Sequence, residues 1–231
     1  MPPQLKDIVT YVMVVGKKVE RVRQSKDDYF RTALDLLADG GVDALTIANL
    51  CARLGVTTGS FYAHFAGIRE FHIAFLEQWE VGRVYLLKEQ VEFTTDPLER
   101  IDLLRRLAVA VNHEAESAIR GWARTNPLVA DFQRRVDRTR EEALVQAFLD
   151  IGIDDNEARV LARIGLTILV GTQQIEEKVD RQRLDDLLSE YQRWLGIRRQ
   201  GSGTAVTRGR TATKAKRKTK AKSDEPSRGR L

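Results

Sequence analysis

Cysteine and histidine are scarce in this chain of 231 residues, which contains one cysteine and three histidines. The single cysteine, Cys51, cannot form an internal disulfide framework or a multi-cysteine metal site. A chain of this kind suits a reducing compartment, so we expect it to act in the cytoplasm. We predict no metal site and no cofactor.

Long hydrophobic runs are also missing. The longest early run, IVTYVMVV at residues 8–15, has eight residues, which is too short to span a bilayer. Its basic residues mostly follow it, so it makes a poor signal peptide. We therefore expect no membrane partner.

The sequence lacks the short motifs that most often accompany catalysis. It contains no glycine-rich phosphate loop, no cysteine–histidine cluster, and neither an H-E-x-x-H nor a G-x-S-x-G motif. Its three histidines, His64, His72 and His113, are not arranged in any of these motifs. We therefore predict that the protein is not an enzyme.

Charge is distributed unevenly along the chain, whose overall net charge is +5. Residues 201–231 hold ten Lys/Arg and two Asp/Glu, a net +8, which leaves the first 200 residues at −3. This tail has no aromatic residue, so it cannot bury enough apolar surface to order itself. A basic tail suits a polyanion, usually nucleic acid, although a linker or solubility segment is the alternative.

Apolar residues recur with the helical period through most of the chain, and no strand alternation of any length is visible. We predict an all-α fold of about nine helices. A basic arm at 1–25 precedes a helix-turn-helix domain at 26–75. A helical ligand-binding and dimerisation domain at 76–197 and a disordered tail at 198–231 follow. The helices are expected at about 26–40, 46–54, 57–65, 67–93, 98–117, 118–125, 127–151, 155–179 and 182–195.

The stretch TTGSFYAHF, at 57–65, has the properties of a helix that contacts DNA. Phe61 and Phe65, four residues apart, share the buried face of the helix and leave the polar side chains more exposed. Thr57 can cap the helix and contact a phosphate at once, because helix amino ends attract phosphate. Gly59 removes a side chain where DNA would come close, and Tyr62 can donate to a phosphate oxygen. Such a helix is able to enter the major groove.

The segments TIANLCARLGVTTGSFYAHF and IREFHIAFLEQW, at 46–65 and 68–79, resemble the DNA-binding region of the TetR/AcrR family of bacterial repressors. The resemblance spans about residues 29–75. It implies an all-α homodimer with an amino-terminal helix-turn-helix domain. It also implies a carboxy-terminal domain that dimerises and holds a small-molecule pocket. Ligand binding in that pocket would release the operator.

The resemblance also implies roles for particular residues. Thr57, Tyr62 and His64 match phosphate contacts, and Arg69 stands where the family usually has lysine. The family's usual link to the fourth helix is AGIR here, so that helix is expected to begin differently. The DNA-binding residues expected in full are Thr46, Thr57, Thr58, Gly59, Ser60, Tyr62, Ala63, His64 and Arg69, of which Thr58, Ser60 and Ala63 match base-facing positions.

Two further predictions concern the carboxy-terminal region, and each has a simpler alternative. His113 and Trp122 are candidates for a ligand pocket, although His113 could equally be a partly buried histidine with a hydrogen-bond partner. A long apolar stripe lies where the family places half of a dimeric four-helix bundle, although it could instead be intramolecular core. The stripe consists of Leu161, Ile164, Ile168, Gly171 and Ile175.

These observations favour a dimeric, ligand-responsive transcriptional repressor that binds a near-palindromic site on double-stranded DNA. The alternative is an architectural protein that coats DNA through its basic tail with little sequence preference. The sequence does not identify the effector.

Overall fold

The computed structural model describes residues 24–92 and 94–196, with side chains at 24–85 and 94–196. Within these ranges the chain forms nine α-helices, one short 3-10 helix and no strand. This confirms the predicted all-α fold. The basic arm before residue 24 and the tail after residue 196 lie outside the described residues. None of the described helices is long and apolar enough to cross a membrane.

The helices are α1 (Lys26–Gly40), α2 (Ile47–Leu54), α3 (Thr58–Tyr62), α4 (Ile68–Glu92), α5 (Pro97–Ala110), α6 (His113–Ala123), α7 (Pro127–Asp150), α8 (Asp155–Ile175) and α9 (Arg181–Trp194). The 3-10 helix, Val42–Ala44, connects α1 to α2.

Short polar residues begin most of these helices, as the sequence indicates. Ser25 forms a capping box with Asp28, in which the Ser25 Oγ accepts from the Asp28 N–H at 3.3 Å. Asp96 and Asn126 each cap a helix whose first residue is proline, so the missing proline N–H costs nothing there. Gly152, at φ 85°, adopts a left-handed conformation and separates α7 from α8.

Three predicted helix ends are wrong, and the first is that of α3, which ends at Tyr62 rather than near Phe65. The helix expected to run to about residue 117 ends at Ala110, and α6 begins at His113. Asn112 causes this break, because its side chain accepts from the Ala115 N–H at 3.0 Å and caps a new helix. The apolar period continues through the break and hides it. Likewise α8 ends at Ile175 rather than near Val179.

The core of the amino-terminal region is largely aromatic. Tyr29, Phe61, Phe65, Phe71 and Phe75 are all at most 1% exposed. Their ring centroids lie 5.0–6.2 Å apart, edge-on or tilted except for the stacked pair Phe71–Phe75. The same apolar cluster continues into α6 and α7. The members from those helices are Ala115, Ile119, Trp122, Val129, Phe132 and Val136.

A second apolar cluster joins α5, α7, α8 and α9 around Ile101, Phe148 and Tyr191. A third lies between α8 and α9, where Leu184 is fully buried. The helix-turn-helix elements α1–α3 therefore rest on a helical body that includes α5–α9.

Candidate DNA-binding surface, cavity and dimer surface

The turn between α2 and α3 depends on one glycine. Gly55 has φ 67° and ψ 33°, the left-handed conformation that costs other residues about 1–2 kcal/mol. Behind it the Val56 N–H donates to the Cys51 carbonyl at 3.0 Å, which closes the carboxy end of α2. Cys51 itself is buried, and burial raises the pKa of its thiol. It is a core residue rather than a reactive one.

Helix α3 has one buried face and one open face. Phe61 and Phe65 anchor it in the aromatic core, which fixes the direction of the rest. Tyr62 is 57% exposed, which is unusual for so large a side chain. The exposed residues at the open face are Thr57, Thr58, Gly59, Tyr62 and Ala63.

The two threonines that precede α2 and α3 behave differently. The Thr46 Oγ1 accepts from the Asn49 N–H at 3.2 Å and caps α2, as predicted. Thr57 occupies the corresponding position before α3. Within the described chain, however, no N–H of that helix donates to its hydroxyl. The expectation that Thr57 caps the helix is therefore wrong, and its exposed hydroxyl faces outward without that role.

Ser60 and His64 are half-buried, unlike the other predicted contacts on α3. The Tyr29 hydroxyl donates to the Ser60 Oγ at 3.2 Å. The His64 ring lies 5.7 Å from the Tyr29 ring, and its Nε2 is shielded without a hydrogen-bond partner among the described residues. Both side chains therefore face the junction with α1 as much as they face solvent. The expectation that these two side chains lie on the exposed face is therefore wrong.

Basic residues are few in the helix-turn-helix elements. Arg31 pairs with Asp28, and Arg53 pairs with Asp39 at 2.7 Å. Arg69, near the start of α4, is exposed and has no ion pair within residues 24–92 and 94–196. Its charge is thus available for a phosphate at the edge of the same surface.

The helical body contains a cavity of about 150 Å³. Its walls are mostly apolar, and Ile101, Leu104, Leu144, Phe148, Leu166 and Leu169 are among them. Five polar side chains also line it: Arg83, Arg105, Arg140, Tyr191 and Gln192.

Neither predicted ligand residue lines this cavity. His113 is 1% exposed and sits between the Val109 carbonyl, 3.1 Å from its Nε2, and the Gln173 Nε2, 3.1 Å from its Nδ1. Burial lowers its pKa, which keeps the ring neutral. Trp122 is buried with its ring edge-on to His72 at 4.8 Å. The contacts of His113 match the simpler alternative, a buried histidine with hydrogen-bond partners.

A buried ion cluster, which the sequence analysis missed, borders the cavity. Glu116 is 2% exposed, and its two oxygens meet the Arg83 Nε at 2.7 Å and the Arg140 Nη2 at 2.8 Å. Next to it, Arg120 makes a bidentate pair with Asp137 at 2.7 and 2.8 Å. Burial alone would raise the pKa of Glu116, but Arg140 and Arg83 hold it below its usual value. Glu116 therefore stays charged.

The sequence does indicate that Glu116 and Arg140 are buried. Glu116 stands three residues before the buried Ile119, and Arg140 four residues after the buried Val136, so each lies on the apolar stripe of its helix. A charged residue on such a stripe is rarely buried without a partner. The partners lie too far apart in sequence to be identified without the fold.

Helices α8 and α9, which pack against each other, also present large apolar side chains to solvent. On α8, Val160, Ile164 and Ile175 are 59%, 43% and 84% exposed. On α9, Leu187 and Trp194 are 45% and 79% exposed. The spacing within each helix places its exposed apolar residues on one face.

The predicted stripe divides between two faces. Ile164, Gly171 and Ile175 lie toward solvent, and a Cβ on Gly171 would meet nothing within 4 Å. Leu161 and Ile168 are only partly exposed and pack against the internal core. Their packing matches the intramolecular alternative. Val160, which was not predicted, takes the place of Leu161 on the open face.

These features define a class. The chain is an all-α helix-turn-helix protein whose short third helix is open toward solvent and whose helical body encloses a cavity. Residues 30–74 match the family model described as bacterial regulatory proteins of the tetR family. These residues span α1–α3 and the start of α4, so the family model covers the helix-turn-helix of this chain. The match supports a DNA-binding transcriptional regulator of the TetR type. No curated protein matches the chain in sequence.

Solved structures of similar fold extend the likeness beyond the matched residues. A TetR transcriptional regulator from Legionella pneumophila is 11% identical and covers 74% of this chain and 98% of its own, with a TM-score of 0.62. A putative transcriptional regulator from Saccharomonospora viridis, in complex with choline, is 15% identical and covers 73% and 95%, with a TM-score of 0.60. A transcriptional regulator from Rhodococcus sp. Rha1 is 20% identical and covers 74% and 97%, with a TM-score of 0.57. At these identities the likeness establishes the fold.

Proposed function

We propose that this DNA-binding regulator is a dimeric repressor that binds a near-palindromic operator and is released by a small molecule held in the body cavity. The observation that carries the proposal is the open face of α3. It places Thr57, Thr58 and Tyr62 in solvent above a fully buried Phe61. A rigid helix with polar groups on one face suits a major groove.

The roles on this surface follow from exposure and chemistry. Thr57, Tyr62 and Arg69 are exposed donors, and we assign them to phosphates. Thr58 and Ala63 are small and exposed, and we assign them to base edges. Ser60, Gly59, His64 and Thr46 complete the predicted set. Phosphate contacts fix the register of a protein on DNA, whereas base contacts select the sequence.

A two-fold dimer would present two copies of α3 to the two halves of a palindrome. The exposed apolar residues on α8 and α9 support such a dimer, since water does not favour side chains such as Ile175 and Trp194 at a free surface. Ile164, Gly171 and Ile175 remain in the proposed interface, and Val160 joins them.

The effector role of the cavity rests on how α6 is placed. Its Glu116 holds two arginines at the cavity border. Six residues further along, its Trp122 touches His72 of α4 and belongs to the same apolar cluster as Leu45 and Phe61 of the helix-turn-helix region. A ligand that shifts α6 would therefore move groups packed on the helix-turn-helix. The choline complex of the Saccharomonospora viridis protein supports a small-molecule site in this fold.

Binding-site selection with the full-length protein tests the proposal. We expect enrichment of a near-palindromic sequence, and footprinting should show protection of two half-sites about one helical turn apart. Recovery of random sequence with no shared pattern would instead favour an architectural protein.

Salt dependence separates the same alternatives, because the basic tail is predicted to contact phosphates. Each phosphate contact contributes roughly 0.9 to the log–log salt slope, so removing residues 201–231 should lower the slope by about 3–4 if four contacts are lost. Affinity for operator and random DNA should fall together. Loss of all sequence preference on truncation would contradict the repressor model.

A further inference from the structure

Three of the five polar side chains that line the cavity, those of Tyr191, Gln192 and Arg105, already have partners within the chain. The Tyr191 hydroxyl donates to the Leu161 carbonyl at 2.5 Å, and the Gln192 Nε2 donates to the Ile101 carbonyl at 3.3 Å. Arg105 is held by Asp102 and Asp185. These groups would lose hydrogen bonds by turning toward a ligand.

Arg83 and Arg140 each have a buried nitrogen without a hydrogen-bond partner among the described residues, but the Arg83 Nε lies 2.7 Å from a Glu116 oxygen. Arg140 has no such compensation. The residue is 9% exposed, and its Nη2 is paired with Glu116. Its Nη1 is shielded from water and has no hydrogen-bond partner among the described residues. The Asp137 Oδ1 lies 3.8 Å from that nitrogen, beyond hydrogen-bond reach. A buried guanidinium nitrogen without a partner is costly, and a ligand acceptor would relieve that cost.

The charge around this nitrogen is positive. Three arginines, Arg83, Arg120 and Arg140, surround two carboxylates, Glu116 and Asp137, which leaves one positive charge in excess. Within the described part of the chain, the cavity has no acidic lining residue. An ammonium ligand would therefore meet repulsion without a counter-charge, whereas an anion would complete the cluster.

The size of the cavity limits what can accompany the charge. A volume of about 150 Å³ with leucine and phenylalanine walls is enough for a benzene-sized group. Purely apolar ligands would leave the Arg140 nitrogen unsatisfied.

We infer that the cavity binds a small organic monocarboxylate, whose carboxylate accepts from Arg140 Nη1 and whose apolar body fills the leucine-lined end. Arginine suits this role because its planar donors match carboxylate geometry. The inference rests on the effector role proposed for the cavity, and it specifies the chemical class of the effector.

Calorimetric titration of the full-length protein with three matched probes tests the inference. Benzoate, benzyl alcohol and benzylammonium share a ring and differ in charge. We expect benzoate to bind about tenfold or more tightly than benzylammonium, with benzyl alcohol between them. Equal or tighter binding of benzylammonium, or no saturable binding of benzoate, would overturn the inference.

Two variants assign the effect to the arginine. Arg140→Gln should weaken benzoate binding about tenfold and leave benzyl alcohol nearly unchanged. Arg135→Gln is the control, since Arg135 lies on the same helix and is paired with Glu80 outside the cavity. Equal losses of benzoate affinity in both variants would contradict a specific role for Arg140.

Glu116→Gln guards against simple unfolding of the Arg140 variant. It keeps the shape of the side chain and raises the positive excess, so benzoate should stabilise this variant against heat more than it stabilises the wild type. A purely structural role for Glu116 predicts no such gain, and a smaller benzoate shift than in the wild type would count against the anion site.

Operator binding, measured in parallel by fluorescence anisotropy, separates this inference from the proposed function. Operator release by benzylammonium but not by benzoate would refute the anion and leave a ligand-released repressor. Benzoate binding in the expected order without operator release would uphold the anion site and refute effector release.

Discussion

The hydroxyl of Tyr29 donates a hydrogen bond of 3.2 Å to the Ser60 Oγ and so joins the first helix of the helix-turn-helix to the third. The Tyr29 ring is fully buried, and Ser60 lies on the helix proposed to read DNA. This bond restrains the rotation of α3 about its own axis. It also fixes where one predicted base-facing hydroxyl points.

Tyr29→Phe should therefore lower the ratio of operator affinity to random-DNA affinity, while the free energy of unfolding falls only slightly. The ring remains in the aromatic core, so the loss of unfolding free energy should be about 0.5–1.5 kcal/mol, the value of one hydrogen bond. Denaturant unfolding and binding-site selection measure the two effects. Adding Ser60→Ala to the variant should cost little more, since the partner is already absent. Strictly additive losses would show that the two residues act independently.

Gly59→Ala tests whether DNA comes close to α3. A Cβ at this position would lie 3.6 Å from the Thr57 Oγ1, an ordinary contact, so the fold tolerates it. Alanine should stabilise the helix by up to about 0.5–1 kcal/mol while weakening operator binding. Gly121→Ala in α6, where a Cβ also meets no obstacle, is the control and should leave DNA binding intact. Unchanged operator affinity in Gly59→Ala would place the DNA elsewhere.

Val160→Glu tests the proposed dimer surface. Val160 is 59% exposed on α8, and Val81 is 58% exposed on α4, so the two offer matched sites for the same substitution. A buried charge at an interface is costly, so sedimentation should show weakened association for Val160→Glu. Val81→Glu should leave association unchanged. Gly171→Val should also weaken association. The added valine side chain would meet no atom of its own chain near the Cβ, so it would interfere with a partner and not with the fold. Dimers in all three variants would locate the interface on another surface.

Stability should fall as the solution becomes mildly acidic. Burial lowers the pKa of both His72 and His113 below the usual 6.5. Between the folded and unfolded pKa values the unfolded state binds more protons, so this contribution is complete above about pH 6.5 and is lost below it. Denaturant titrations at pH 7.5, 6.5 and 5.5 should show the decline, with a shallower slope in the His72→Gln and His113→Gln variants. A stability that rises on acidification would contradict this account.

Local signals in the sequence predicted the fold well. Caps such as Thr46 and Asn126 and the glycine at 55 act within one helical turn, so a single sequence is enough to recognise them. The break at Asn112 was missed because helical periodicity continues across it. Apolar pattern alone does not distinguish one long helix from two packed ones.

The site was less predictable, because its important contacts join distant residues. The Tyr29–Ser60 bond spans 31 positions, and the arginines around Glu116 come from α4 and α7. His113 was a reasonable candidate by type, but its neighbours satisfy both ring nitrogens. Whether a polar residue is available to a ligand depends on such tertiary partners.

The apolar cluster that runs from Phe61 into Trp122 and Phe132 has a consequence for chimeric regulators. Grafting residues 26–75 alone onto the body of another regulator would divide this cluster. The aromatic residues of α1–α4 would then pack against foreign side chains in place of those of α6 and α7. A functional graft would need to bring α6 and the start of α7 with it. DNA specificity and the helix that borders the cavity would then be inherited together.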